Sequence, residues 1–173
     1  MVTIKIAETS REYEQIHDLN YQTFVEEIKQ HEPREDKRLE DQFHDLNNYV
    51  IACFDNQLIG MVCYKTKRPF SLDKKGVSID AYITAEEKIA EVRLLTILPK
   101  WRKGKVTFRL LKFLISEMLS EEIELAFVSA KQSELSFYHK LGFVSFGDIV
   151  GKEGAWYQPM FVKLETLNPK LLS

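Results

Sequence analysis

The stretch Ala90–Leu114, AEVRLLTILPKWRKGKVTFRLLKFL, changes character once and sharply, and the rest of the chain can be read outward from it. Val92, Leu94, Leu95, Ile97 and Leu98 form a nearly unbroken apolar run, the pattern of a strand covered on both faces within a sheet. Pro99 cannot donate to a ladder and closes the strand, leaving Lys100 to Lys105 as a turn. Beyond the turn Val106, Leu110, Leu111, Leu114 and Met118 recur at helical intervals, and Phe108, Ile115 and Leu119 widen the stripe. That spacing predicts a helix packed deeply on a sheet. Basic residues crowd the helix start, where they oppose the dipole and need a counter-anion, while the free N–H groups of the first turn favour the same partner. The segment reads as an anion site suited to a phosphorylated ligand.

Upstream, Val2–Ala7 alternates apolar and polar residues and predicts a first strand. Thr9 and Glu12 form a capping-box pair opening a helix through Tyr13, Ile16, Leu19, Phe24 and Ile28, which should end near Gln30 because Glu32 precedes Pro33. Charged residues dominate Glu32 to Asp45, either a second, solvated helix or a loop. Asn48–Phe54 and Leu58–Lys65 flank Asp55-Asn56-Gln57 as a hairpin. Arg68 to Glu87 reads as an insertion, whose Phe70, Leu72, Val77, Ile79 and Tyr82 either anchor it on the core or line a substrate groove; the anchoring reading is the simpler. Strands follow at Ile123–Val128, Phe143–Phe146 and Trp156–Leu164, the last with Trp156, Met160, Val162 and Leu164 on one face. Between the first two lies a helix carrying Tyr138, with Gly142 free to be left-handed just past its end and Phe143 packing back on it.

The 173 residues, 45% hydrophobic and 29% charged, predict a single domain over 1–173, and a net charge of −2 argues against nonspecific nucleic-acid binding. The two cysteines, Cys53 and Cys63, lie in apolar runs and read as core thiols in a reducing compartment. No signal-like N-terminus and no apolar run of roughly 20 residues is seen, so a cytoplasmic protein without a membrane span is predicted. His17, His31, His44 and His139 share no ligand spacing, and Glu40, Asp41 and Asp45 read as solvated, so no metal is predicted.

Two sets of residues resemble one family. A-E-V-x-x-L-x-I-x-P followed by W-R-K-G-K-V-T and a Leu-Leu helix resembles the fourth strand, pyrophosphate loop and third helix of the GNAT acyltransferase superfamily. Ser136-Phe137-Tyr138-His139-Lys140-Leu141-Gly142-Phe143 is similar to its F-Y-x-x-L-G-F signature. In the family's Q/R-x-x-G-x-G/A loop, Arg102 takes the first position while Lys105 and Thr107 fill the glycine positions, with Gly104 one place early. Lys131 and Glu134 stand where the family has Asn and Ala. A narrower likeness runs through Tyr21-Gln22-Thr23-Phe24-Val25-Glu26-Glu27, Asp41, Asp45 and Tyr157-x-Pro159-Met160. These resemble the N-acyl amino acid synthase and autoinducer-synthase-like branch.

The resemblance implies an α/β fold with a mixed, mostly antiparallel sheet, helices on both faces, and the order β-α-α-β-β-β-α-β-α-β-β. It implies transfer of an acetyl or other acyl group from acyl-CoA to a primary amine of a small molecule or peptide, without metal. Alternatives are a long-chain N-acyl amino acid synthase fed by acyl-CoA or acyl carrier protein, and a non-catalytic acyl-CoA-binding module; a homodimer stays open. By the same resemblance Leu95, Thr96 and Ile97 offer backbone groups to pantetheine, and Arg102, Lys103, Gly104, Lys105, Val106 and Thr107 hold the phosphates. Glu91 is implied as general base, with an ion pair to Arg93 as its structural alternative. Tyr138 is implied as the acid facing the departing thiolate, with a core tyrosine as its alternative. Since its ordinary pKa of about 10 exceeds the roughly 8.5 of a thiol, hydrogen bonding the thiolate suffices as its role.

Overall fold

A computed structural model describes residues 1–172. The chain forms two compact units, one of Met1–Cys63 with Leu94–Leu114, the other of Tyr64–Arg93 with Ile115 to the end of the described residues. Each is taken separately below.

In the first unit β1 (Val2–Ile6) pairs antiparallel with β2 (Asn48–Phe54), Val2 opposite Phe54 and Ile6 opposite Val50. β2 turns into β3 (Gln57–Lys65) through Asp55 and Asn56, both at positive φ (49° and 62°). A two-residue turn of that hand matches the strand twist, and Asn and Asp tolerate it better than most residues. β3 is followed in the strand order by the second half of β4 (Ile89–Ile97), with Leu98 N donating to Ile59 O at 2.9 Å. Helix α1 (Ser10–Tyr21) opens with the predicted capping box: Glu12 N donates to Thr9 Oγ1 at 3.2 Å, and Thr9 N to Glu12 Oε2 at 3.0 Å. Ile16 and Leu19 of α1 pack with Ala7, Tyr49, Ile51, Leu58, Met61 and Cys63 into one core. The helix then continues as a π-helical turn, Gln22–Glu27, in which Ile28 N reaches Thr23 O. No second α-helix forms between Glu32 and Asp45; a 3-10 turn, His44–Leu46, is the regular element there.

The second unit orders its strands β4, β5 (Leu125–Ala130), β8 (Ala155–Lys163) and β6 (Val144–Ser145), and the short β7 (Val150–Lys152) also pairs with β8. β4 and β5 are parallel, and the β5–β8, β6–β8 and β7–β8 pairs are antiparallel, so the fold is mixed and mostly antiparallel as expected. The insertion folds as α2 (Ser71–Lys74) and a 3-10 turn, Ile79–Ala81. Phe70, Leu72 and Ile79 are wholly buried against Leu125, Phe127 and Phe146, so these three anchor the insertion on the core. Tyr82 is half exposed with its ring 4.7 Å from Phe146. α4 (Leu135–Leu141) ends as predicted, on Gly142 at φ 110°, with Phe143 N donating to Tyr138 O. The chain closes with the four-residue α5 (Pro169–Leu172).

Two sequence expectations were too broad. In α3 (Val106–Ser120) the buried residues are Val106, Leu110, Leu111, Leu114, Ile115 and Met118, while Phe108 and Leu119 are more than 40% exposed. Trp156 is also exposed, because it sits where β8 pairs only with β7, whereas Met160, Val162 and Leu164 are buried.

Gly60 in β3 lies under β4 and α3 of the first unit. A Cβ there would sit 2.7 Å from Ile97 Cδ1, 3.2 Å from the Thr96 carbonyl oxygen and 3.3 Å from Leu110 Cδ1. Gly60→Ala should therefore lower stability by about 1–3 kcal/mol through overpacking. Urea unfolding with an unchanged slope is the measurement, and a variant as stable as the parent would show that β4 yields there.

Candidate active site

β4 is the strand on which the implied site residues stand. Its parallel register with β5 comprises Ile89–Leu125, Ala90–Ala126 and Glu91–Phe127 and stops there, before the Leu95–Ile97 segment implied to serve pantetheine. Leu94 then takes φ 60°, a left-handed conformation that costs a leucine of order 1–3 kcal/mol. Leu94 and Leu98 pack on the first unit's core, which holds this irregular segment in place. Among Leu95, Thr96 and Ile97, Thr96 carries a buried Oγ1 with no hydrogen-bond partner.

The basic turn follows in the same unit. Pro99–Trp101 is a 3-10 turn, and α3 begins at Val106 after four turn residues. No residue from Lys100 to Thr107 has positive φ, and a Cβ on Gly104 would meet nothing closer than Trp101 O at 3.5 Å. This backbone does not require glycine at any of these positions, which is why Lys105 and Thr107 can stand where the family has it. Arg102 is committed elsewhere: its Nη1 and Nη2 donate to Glu27 at 2.6 and 2.7 Å, and its Nε to Ile97 O at 2.9 Å. That bidentate pair holds the Glu27 carboxyl below the usual range. Lys103 and Lys105, by contrast, are exposed and make no ion pair among the described residues.

Glu91, in the second unit, is not at a groove edge but fully buried. Its Oε1 accepts from Ser71 N at 2.8 Å, and its Oε2 accepts from Ser71 Oγ at 2.7 Å and Leu72 N at 3.1 Å. Arg93 Nε lies 3.9 Å away, the ion-pair alternative foreseen from sequence. The carboxylate thus ties the first turn of α2 to β4, and with no exposed surface it offers an incoming amine nothing to touch.

Tyr138, also in the second unit, packs edge-on against Phe137 and Phe143 at 5.2 and 5.4 Å. Its hydroxyl has no hydrogen-bond partner among the described residues. Burial, reinforced by the Glu134 charge, pushes the phenol above its ordinary range. Full proton donation to a thiolate is thereby less favourable, and a hydrogen bond more fitting.

One group was missed. Lys75, just past α2, has its Nζ 3.4 Å from Ser129 Oγ and 4.4 Å from the centroid of the Tyr157 ring, in a half-buried position. Burial lowers its pKa from the ordinary lysine value; Glu91 opposes that shift and Arg93 reinforces it. It makes no ion pair of its own among the described residues. The sequence read Lys74-Lys75-Gly76 as a turn. A helical reading from Ser71 would have put Lys75 on the face of Ser71 and Leu72, at steps of four and three.

A mostly antiparallel sheet whose central strand leaves its parallel neighbour and runs through a basic turn into a long helix defines a class, the acyltransferase fold that handles CoA thioesters. The family follows: the acetyltransferase (GNAT) family profile matches residues 13–143, and the chain belongs to that family. By this membership it is an N-acyltransferase. Among solved structures it is similar to BjaI, a CoA-dependent acyl-homoserine lactone synthase seen with SAM and isopentyl-CoA (20% identity, 99% of this chain and 86% of that chain, TM-score 0.80). It is also similar to FeeM, an N-acyl amino acid synthase from uncultured soil microbes (15% identity, 95% and 91%, TM-score 0.76). A GNAT-family protein of Desulfovibrio desulfuricans shares the fold at 13% identity over 95% of this chain and 99% of that chain, with TM-score 0.64. No curated protein matches the chain. No helix among the described residues is long and apolar enough to cross a membrane.

Removing the Glu91 charge should be felt first as lost stability. Glu91→Gln sets an amide N–H₂ against donors from Ser71 and Leu72, leaving a buried polar atom unpaired at a cost of about 2–4 kcal/mol. Chemical denaturation measures it; Tyr138→Phe, which breaks no hydrogen bond, should stay within about 1 kcal/mol of the parent in the same experiment.

Proposed function

We propose that the protein transfers a short acyl group from acyl-CoA to the primary amine of a small, amino-acid-like acceptor, with Lys75 as the proton acceptor. The observation that carries this reading is Lys75 itself: a half-buried ammonium with a lowered pKa, resting on Tyr157 and Ser129 and in no ion pair among the described residues. Attack on a thioester requires the acceptor to lose a proton, and a lysine whose charged form is disfavoured by burial is suited to take it. Glu91 is then a positioning residue, holding Ser71 and so the start of the helix that ends at Lys75. Tyr138 hydrogen-bonds the departing thiolate through its unpartnered hydroxyl.

For the donor, Lys103 and Lys105 supply free charge for the phosphates beside the N–H groups of Val106 and Thr107, while Gly104 gives an unobstructed backbone. Arg102 contributes by fixing the turn through Glu27 and Ile97, and the backbone of Leu95, Thr96 and Ile97 serves pantetheine. BjaI with isopentyl-CoA supports a short donor, and FeeM supports an amino-acid acceptor. Cys53 and Cys63, neither of them in a disulfide, are in keeping with a cytoplasmic setting.

The test is thiol release with a panel of amino acids and amines as acceptors, followed across pH. The rate should rise with pH and level off at the Lys75 pKa, below the ordinary lysine value of about 10.4, because only deprotonated lysine accepts a proton. Lys75→Arg keeps the charge but cannot lose a proton, so kcat should fall by about a hundredfold with KM little changed and the acidic limb lost. An unchanged rate and limb in that variant would remove Lys75 from the chemistry.

Donor length follows from the packing of the insertion. Phe70, Leu72 and Ile79 are already consumed in the core, so they are not available to shelter a long chain. A sheltered chain would gain about 0.8 kcal/mol per methylene. Competition among acyl-CoAs of increasing length should instead show affinity levelling off within a few carbons; a steep continuing rise would favour the long-chain synthase reading.

A further inference from the structure

We infer that His17, Glu40 and His44 form a binding site for a divalent transition metal, with zinc the ion that best suits two imidazoles and a carboxylate. All three lie in the first unit, and their donor atoms are within 4.8 Å of one another. The rings of His17 and His44 meet edge to face at 4.7 Å, and His44 Nε2 lies 3.8 Å from Glu40 Oε1. The segment is held against α1 by Leu39 N, which donates to His17 O at 3.1 Å.

Two independent observations point to a ligand. The first is that His17 is 1% exposed and its Nδ1 has no hydrogen-bond partner, although a buried polar atom left in that state is costly. The second is the orientation of His44. Its Nδ1 is 3.0 Å from Tyr49 Oη, which in turn receives Asn47 Nδ2 at 3.2 Å, and Nε2 is left on the Glu40 side. Holding one ring nitrogen so that the other faces an ion is the usual support of a ligating histidine.

A bland reading is available, since the two histidines also stack among Tyr13 and Tyr49 as an aromatic cluster. Stacking accounts for the rings but not for the orphaned Nδ1 or the carboxylate beside them. Arg38 makes a bidentate pair with Glu14 at 2.9 and 3.0 Å and lies 4.0 Å from Glu40 Oε2, which leaves Glu40 Oε1 on the His44 side. Tetrahedral zinc with bonds of about 2.0–2.1 Å sets its donors about 3.3 Å apart. No pair of donors need therefore approach by more than about 1.5 Å on binding. Three protein donors leave a fourth position for water.

The experiment uses the full chain, freed of any affinity tag and stripped with a chelator. Titration with Co²⁺ should raise the visible bands of tetrahedral cobalt at one ion per chain, and Zn²⁺ should quench them by displacement. Glu40→Gln, a half-exposed position that should fold normally, is expected to weaken Co²⁺ and Zn²⁺ at least tenfold; His17→Gln and His44→Gln should abolish the bands. No tetrahedral bands in the parent chain would overturn the assignment. So would an affinity in a folded Glu40→Gln protein equal to that of the parent, which would mark the binding as adventitious.

Discussion

Burial of the Glu91 carboxylate is the constraint on which the second unit depends. A charge with no water contact is tolerated only where hydrogen bonds replace hydration, and here Ser71 and Leu72 provide three. The same bonds fix the first turn of α2 on β4. With that turn fixed, Leu72 and the flanking Phe70 are driven into the aromatic core of β5, and the end of the helix delivers Lys75 beside Ser129 and Tyr157. A structural acid thereby sets the place of a half-buried lysine.

In the first unit the equivalent constraint is steric. Leu94 accepts a left-handed backbone because its side chain is held by the core around Leu19, Ile51 and Met61, and Gly60 leaves room for Ile97 and the Thr96 carbonyl to come close. The turn that follows is built from ordinary right-handed backbone, closed by Arg102 bridging Glu27 and Ile97. A loop of this kind draws less on close backbone approach to phosphate and more on the ammonium groups of Lys103 and Lys105. Its attraction for an anion should accordingly be more sensitive to salt than that of a glycine-lined cradle.

Much of the architecture was legible because it rests on local chemistry. The capping box at Thr9, the Asp55-Asn56 turn, the stop at Pro99 and the left-handed Gly142 are each decided within a few residues, and each appears where the sequence put it. Apolar periodicity located the buried strand and helix on either side of the basic turn, though it overstated the helix's apolar face at Phe108 and Leu119. Periodicity reports what can be buried; what is buried depends on how much partner surface arrives.

The sequence by itself determined the family and the position of the basic turn, since these follow from spacing and from residues with strong backbone preferences, but it misplaced the second helix, which forms at Ser71–Lys74 and not between Glu32 and Asp45. Only the tertiary structure decided the roles of the charged side chains. Arg102 was drawn to Glu27, 75 residues away, Glu91 was spent on Ser71, and Lys75 was lifted out of a nondescript turn. It likewise gathered His17, Glu40 and His44, which share no motif. A carboxylate or an ammonium carries the same charge wherever it stands in the chain; burial and the partner within about 4 Å set whether it caps a helix, binds an ion or moves a proton, and both come from residues distant in sequence.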